Sequence, residues 1–268
     1  FVIMTKESEF FLAPNSSSGS AEAAAKSGIA SAVCDDDKAA IEKARDLVNI
    51  LPVNNLAPVP MFEFAENSPV SGTDLKSIIN SAADADSEIE ISAEFGNASY
   101  TGFVTIGGAT AGIAAAGKEG SKLNSDDCAK LARFMRTCDA FSIPVVTFVN
   151  SEGFEDADAV SSIKAMTTLA NSYSEATTVK IAVVTGKAVG PVFAAVAGNS
   201  SNSDFTYAYP DAVIAPVSSA AAVEFMWHDK LKGTDNLESA RNELISEYEK
   251  NNKSTSPAVN RVLNETEK

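Results

Sequence analysis

The segment Lys187-Ala188-Val189-Gly190-Pro191-Val192-Phe193 follows the β-branched run TTVKIAVVT and leads into alanine-rich sequence. That is the pattern of a strand handing over to a helix. Such turns present bare backbone N–H groups, and glycine lets a ligand approach them closely. Proline has no N–H to offer. Pro191 therefore leaves three readings open: an active-site turn, a modified one, or a tight corner. A glycine pair, Gly107-Gly108, also follows a strand-like run. It fits a phosphate-binding turn and, better, the bend of a β-hairpin.

Few side chains could act as catalysts. His228 is the one histidine, and its setting, EFMWHDK, reads as the end of an amphipathic helix rather than a catalytic turn. Cys34, Cys128 and Cys138 form no CxxC pair. An odd number of cysteines is a poor disulfide framework and favours a reducing compartment. With scattered cysteines and one histidine, no zinc site is expected. A Ser–His or Cys–His mechanism would rest on His228 alone.

The 268 residues are 45% hydrophobic, 21% charged and 7% aromatic, an ordinary globular composition for one or two domains. Asp and Glu number 36 against 21 Lys and Arg, a net charge of −15. Such a chain is repelled by nucleic acid and by anionic membranes, and neither is expected as a partner. The acidity itself reads as solubility. No run of about 18 apolar residues predicts a membrane span. The opening FVIMTKESEF lacks the basic and long apolar regions of a signal peptide, so a cytoplasmic protein is expected.

The elements that must position these residues can be read from periodicity. Residues 1–14 predict a strand (FVIMT), a turn (KESE) and a second strand (FFLAP), and NSSSGS predicts a loop. Glu22 opens a short helix, and GIASAV forms a short apolar piece. Ile41, Ala44, Leu47, Val48 and Leu51 have helical spacing over 35–51, with acidic residues at the N-terminal end where the dipole favours them. A second helix is predicted over 73–83. From 99 onward strands and helices alternate: YTGFVTIGG, ATAGIAAA, a helix over 125–141, a strand over 143–150, a helix over 161–176 and a strand over 178–186. DFTYAYPDAVIAP follows the turn. This alternation predicts a parallel or mixed α/β sheet. Ser125 with Asp126 and Asp127 supplies the expected cap of the helix at 125.

The chain also echoes itself. FVIMTKESEFFLAP resembles FTYAYPDAVIAP, and each continues through serine into alanine-rich sequence. IASAVCDDDK resembles VNRVLNETEK. Two echoes in the same order point to a duplication, with the tail of one domain followed by most of another.

Over 99–228 the chain resembles the carboxyltransferase subunits of biotin-dependent acyl-CoA carboxylases and decarboxylases. The residues carrying this are YTGFVTIGGATAGIAA, CAKLARFMRTCDAFSIPVVTFVNSEGF, YSEATTVKIAVVTGKAVGPVFAAVAG and SDFTYAYPDAVIAPVSSAAAVEFMW. The opening FVIMTKESEFFLAP, with SGIASAV and LVNILPVNN, resembles the end of that family's first domain. The fold implied is α/β, a crotonase-like (ββα-superhelix) carboxyltransferase domain preceded by the tail of a similar one. Residues 1–60 would be that tail, 61–98 a linker or helical segment, and 99–268 the second domain.

The activity implied is movement of a carboxyl group between carboxybiotin and a short-chain acyl-CoA, as in propionyl-CoA carboxylase or methylmalonyl-CoA decarboxylase. The reaction passes through an enolate, and backbone N–H pairs at helix starts stabilise its oxyanion without a metal or covalent nucleophile. By this resemblance Gly190 and Val192 are the catalytic positions. Gly153, Phe154, Met166, Thr167, Pro191 and Phe193 are the positions contacting the cofactor. No metal is expected. Biotin would arrive on a separate biotin carboxyl carrier protein, because no Ala-Met-Lys-Met motif is present, and a homo-oligomer is expected. The family's turn has glycine where Pro191 stands, its helix has a Gly-Ala step at Met166-Thr167, and its Pro-Gly-Phe loop reads Ser151-Glu152-Gly153-Phe154 here. Glu152 would either place a negative charge beside a site for anions or point to solvent. These departures favour the alternative of a non-catalytic, structural carboxyltransferase-like subunit.

Overall fold

The alternating strand and helix patterns build a seven-stranded mixed sheet covered on both faces. The computed structural model describes residues 1–10, 19–67, 73–155, 159–232 and 236–264. The sheet contains β3 (Ile89–Glu90), β4 (Ser99–Ile106), β5 (Ala109–Gly120), β6 (Val145–Ser151), β7 (Lys180–Val189), β8 (Phe205–Ala208) and β9 (Val213–Ala215). Its order is β3-β4-β5-β6-β7-β8, with β9 also on β7. β3, β4 and β5 are antiparallel, and every pairing from β5 to β9 is parallel. The parallel connections run through α4 (Ser125–Ala140), α5 (Ala159–Glu175) and α6 (Pro191–Val196).

Side chains of one strand alternate between two cores. Phe103, Ala114, Val145, Val149, Ala182 and Val184 face the larger one, with Leu131, Met135 and Cys138 of α4 and Leu169 and Tyr173 of α5. Leu47 and Ile50 of α2 (Asp37–Ile50) enter this same core. Tyr100, Val104, Ile113, Ala115 and Phe148 face the opposite way, onto Ile78 and Ile79 of α3 (Leu75–Ala82). Burial on both faces is why these strands read as near-continuous apolar runs.

Two local expectations are corrected. The cap of α4 is Asn124, not Ser125: the Asn124 side chain accepts from the Asp126 and Asp127 N–H groups, and Asp127 accepts in return from the Asn124 N–H at 2.9 Å. That reciprocal pair satisfies donors the helix itself leaves open. The predicted hairpin over 1–14 is also replaced, as far as the described residues extend. β1 (Ile3–Thr5) pairs in parallel with β2 (Ala32–Cys34), with α1 (Ala21–Lys26) between them, as a separate two-stranded sheet. Met4 is buried there against Ala21, Ala24 and Ala30, so a non-local apolar contact decides the pairing. Residues 11–14 lie outside the described residues.

Gly107-Gly108 is the bend of the β4–β5 hairpin, with φ of 57° and 81°. Their N–H groups do hold an anion, but an internal one: the Asp84 carboxylate accepts from Gly107 at 2.9 Å and Gly108 at 2.8 Å. Burial pushes the Asp84 carboxyl up, yet the Gly108 N–H, Thr105 and the Gly107 N–H outweigh it and hold the group below its ordinary value. A lowered folded-state value stabilises the fold above the unfolded pKa, and that contribution disappears as pH falls through the folded one. Asp84→Ala should therefore lower the urea midpoint at pH 7, with the gap to wild type closing as the pH falls below about 4. A gap that stays constant would show that the carboxylate charge is not what matters.

Candidate functional site

The expected turn forms at the end of β7. Gly190 has φ 62° and ψ −137°, a conformation open to glycine, and a Cβ there would stand 3.3 Å from the Pro216 carbonyl. Pro191 is the first residue of α6, where its missing N–H breaks no helix hydrogen bond. No side chain caps α6, so the N–H groups of Val192 and Phe193 have no side-chain acceptor. The Gly190 N–H is already committed, donating to the Ala215 carbonyl of β9 at 2.7 Å. Val192 is fully buried and Phe193 half-buried.

Gly153 lies beside this turn, since a Cβ on it would be 3.9 Å from the Val189 carbonyl. Ser151 fixes its loop: the Gly153 N–H donates to Ser151 Oγ at 3.2 Å, and the hydroxyl reaches the Ser121 carbonyl at 2.8 Å. Phe154 pairs with Leu123 and packs on the larger core. Met166, half-buried, and Thr167, exposed, lie in the interior of α5, which packs against α6. Their N–H groups belong to the helix ladder, and the Thr167 hydroxyl donates to the Ile163 carbonyl at 2.9 Å. These two positions thus have side chains, not backbone donors, to offer a ligand.

Asn150, Gly117 and Glu249, all near this turn, were missed in the sequence. Asn150 sits where both neighbouring strands lose register. From Val149 to Ser151 in β6, β5 advances from Ala116 to Gly120 and β7 from Val184 to Ala188. Each flanking strand therefore bulges around Asn150. Its Oδ1 accepts from the Lys187 N–H at 3.0 Å, and Gly117, at φ 90°, passes so close that a Cβ would lie 2.1 Å from the Asn150 carbonyl. Bulges of this kind re-aim a strand end. They deliver the Lys187 ammonium to Glu152 at 2.9 Å and to Glu249 of α9 (Leu237–Asn251) at 3.5 Å. The Glu152 hydrogen bond, helped by both carboxylate charges, outweighs partial burial and raises the Lys187 pKa. Glu152 is exposed, as the solvent reading expects, but its charge is paired with Lys187.

A cavity of about 370 Å³ opens here, with Lys122, Glu152, Lys187 and Glu249 in its wall beside Ser218 and Ser219 at the start of α7 (Ser219–Met226). It meets the turn at Val189 and Ala215, and none of the eight expected site residues lines it. His228 opens α8 (His228–Leu231) as an exposed residue. The cysteines are free: burial, reinforced by the Asp127 charge, pushes the Cys128 thiol up to about 12, and burial pushes Cys138 up as well. Raised thiols are poor nucleophiles. Among the described residues no group of three His, Cys, Asp or Glu side chains could hold a metal ion.

The mixed α/β sheet is matched by solved carboxyltransferase structures, which gives the class: the crotonase-like fold. The transcarboxylase 12S core, whose solved structure contains methylmalonyl-coenzyme A and methylmalonic acid, aligns with a TM-score of 0.87 at 27% identity, over 98% of this chain and 57% of that one. The carboxyl transferase domain model matches residues 12–265, and this chain belongs to that family. The propionyl-CoA carboxylase carboxyltransferase subunit of Haloferax mediterranei is 30% identical over 83% of this chain and 47% of its own length. The methylmalonyl-CoA decarboxylase subunit alpha of Propionigenium modestum is 29% identical over 83% of this chain and 47% of its own. The chain thus spans about half the length of these relatives.

Proposed function

We propose that this chain is part of a carboxyltransferase of a biotin-dependent acyl-CoA carboxylase or decarboxylase, acting on the propionyl/methylmalonyl class. Family membership and the names of its relatives support the reaction class. The observation that carries the site is the start of α6, where no side chain occupies the N–H groups behind Gly190. Bound biotin would supply the carboxyl group and a ureido oxygen that gains negative charge as that group leaves. That oxygen would take the N–H groups of Val192 and Phe193, while Pro191 withholds a third donor. On this reading Gly190 shapes the turn, Val192 donates, and Gly153, Phe154, Met166, Thr167, Pro191 and Phe193 border the ring. Each preorganised donor to a developing oxyanion is worth about 3 kcal/mol.

The same proposal includes a biotin carboxyl carrier protein as partner, a homo-oligomer and a cytoplasmic setting. It also divides the chain into the tail of a first domain over 1–60, a connection over 61–98 and a second domain over 99–268. The separate β1–β2 sheet supports that division. No helix of the described residues is long and apolar enough to cross a membrane.

One observation favours the alternative of a structural subunit. The Gly190 N–H is bonded to Ala215, Pro191 has none, and Val192 is fully buried, so the turn as it stands shows little donor surface. Calorimetric titration of the full-length protein with biotin and with propionyl-CoA, beside a transfer assay, separates the two. Binding of both with turnover supports the enzyme; binding of neither leaves a structural subunit.

A further inference from the structure

Away from the turn, a cavity of about 380 Å³ lies between α4 and the segments around residues 2 and 30. Its walls are largely apolar, including Ile29, Leu51, Ile91 and Phe134, and no acidic side chain lines it, although the chain carries 36. Lys130 and Arg133 border it from one face of α4, three residues apart.

Among the described residues neither cation has a carboxylate within ion-pair distance. Lys130 is 2% exposed, and its ammonium donates to the Ser99 carbonyl at 3.0 Å and the Gly96 carbonyl at 3.4 Å. An ammonium has three N–H donors, so one is left over. Arg133 donates to the Gly28 carbonyl at 2.7 Å and stands 5.7 Å from the Phe95 ring centroid. A buried cation with no carboxylate within ion-pair distance is costly, and an anion entering the cavity relieves part of that cost beside the more distant charges of Glu90 and Asp127.

We propose that this cavity binds a small monocarboxylate with an aliphatic or aromatic body, its carboxylate held by Lys130 and Arg133. An apolar pocket of this volume with a few converging polar groups at one end is the usual form of a small-molecule site. The apolar wall takes the body of the acid, and the absence of acidic lining removes the repulsion found elsewhere on this surface. Burial pushes the Lys130 amine down to about 8, with Lys118 adding to the effect and Glu90 and Asp127 opposing it. Arg133 is the other charged side chain lining the cavity. The site therefore loses charge as the pH rises through about 8.

Octanoate titrated into the full-length protein tests this, with octanamide as the uncharged probe. The expected result is one saturable equivalent of octanoate, octanamide at least about tenfold weaker, and octanoate affinity falling as the pH rises past about 8. Lys130→Met, which keeps the length of the side chain, should weaken octanoate about tenfold or more. Should that variant fail to fold, Arg133→Gln and the wild-type pH profile decide. Absence of saturable binding, equal binding of octanamide, or undiminished binding in both variants overturns the proposal. Displacement of octanoate by propionyl-CoA also overturns it, by placing the acid at the transfer site. None of these outcomes depends on whether the turn at Gly190 is catalytic.

Discussion

Replacing Pro191 with glycine should raise the rate of carboxyl transfer by roughly ten- to a thousandfold, with little change in KM for the acyl-CoA. Removal of one oxyanion donor in other enzymes costs about 10²–10³ in kcat, and the substitution adds a donor of that kind. The added N–H would stand at the first position of α6, on an exposed residue, whereas the next, at Val192, is buried. A donor that acts only as charge develops changes kcat rather than KM. Glycine also frees the unfolded chain, so a stability loss of about 1 kcal/mol should accompany the gain. Steady-state kinetics of wild type and Pro191→Gly, with thermal melts as a control, check this. A rate that does not move would take this turn out of the mechanism, whatever else the protein does.

Gly117→Ala should be a strongly damaging single-methyl change. The new Cβ would lie 2.1 Å from the Asn150 carbonyl, a backbone atom on the neighbouring strand. The φ of 90° adds a conformation that alanine avoids. Backbone must move to relieve the clash, and the double bulge around Asn150 holds it from both sides. We expect a loss of about 3 kcal/mol or more, hence a fall in Tm of roughly 6–12 °C. A variant melting within 2 °C of wild type, as a rough threshold, would mean that the bulge is looser than its geometry implies.

Much of the fold was legible because its signals are local. The spacing of Ile41, Ala44, Leu47, Val48 and Leu51 marks α2, and the β-branched runs mark β6 and β7. The turn at Gly190, with Pro191 at the helix start, was legible for the same reason. What stayed hidden depends on partners distant in sequence. β1 pairs in parallel with β2 across a crossover that holds α1. The bulges at Asn150 leave the apolar alternation intact, so nothing in the string marks them except glycines at 117 and 186. Asp84 meets the Gly107-Gly108 bend from more than twenty residues away. The commitment of the Gly190 N–H to Ala215 is likewise a tertiary fact, and it bears directly on how many donors the turn retains.

The Asp84 contact has a consequence for selectivity. The carboxylate that occupies the Gly107 and Gly108 donors is tethered to the same chain, so its effective concentration far exceeds that of any free anion. A dissolved phosphate or carboxylate would have to displace a competitor that never diffuses away. While Asp84 stays ionised that bend is saturated from within, so its two donors are closed to external anions.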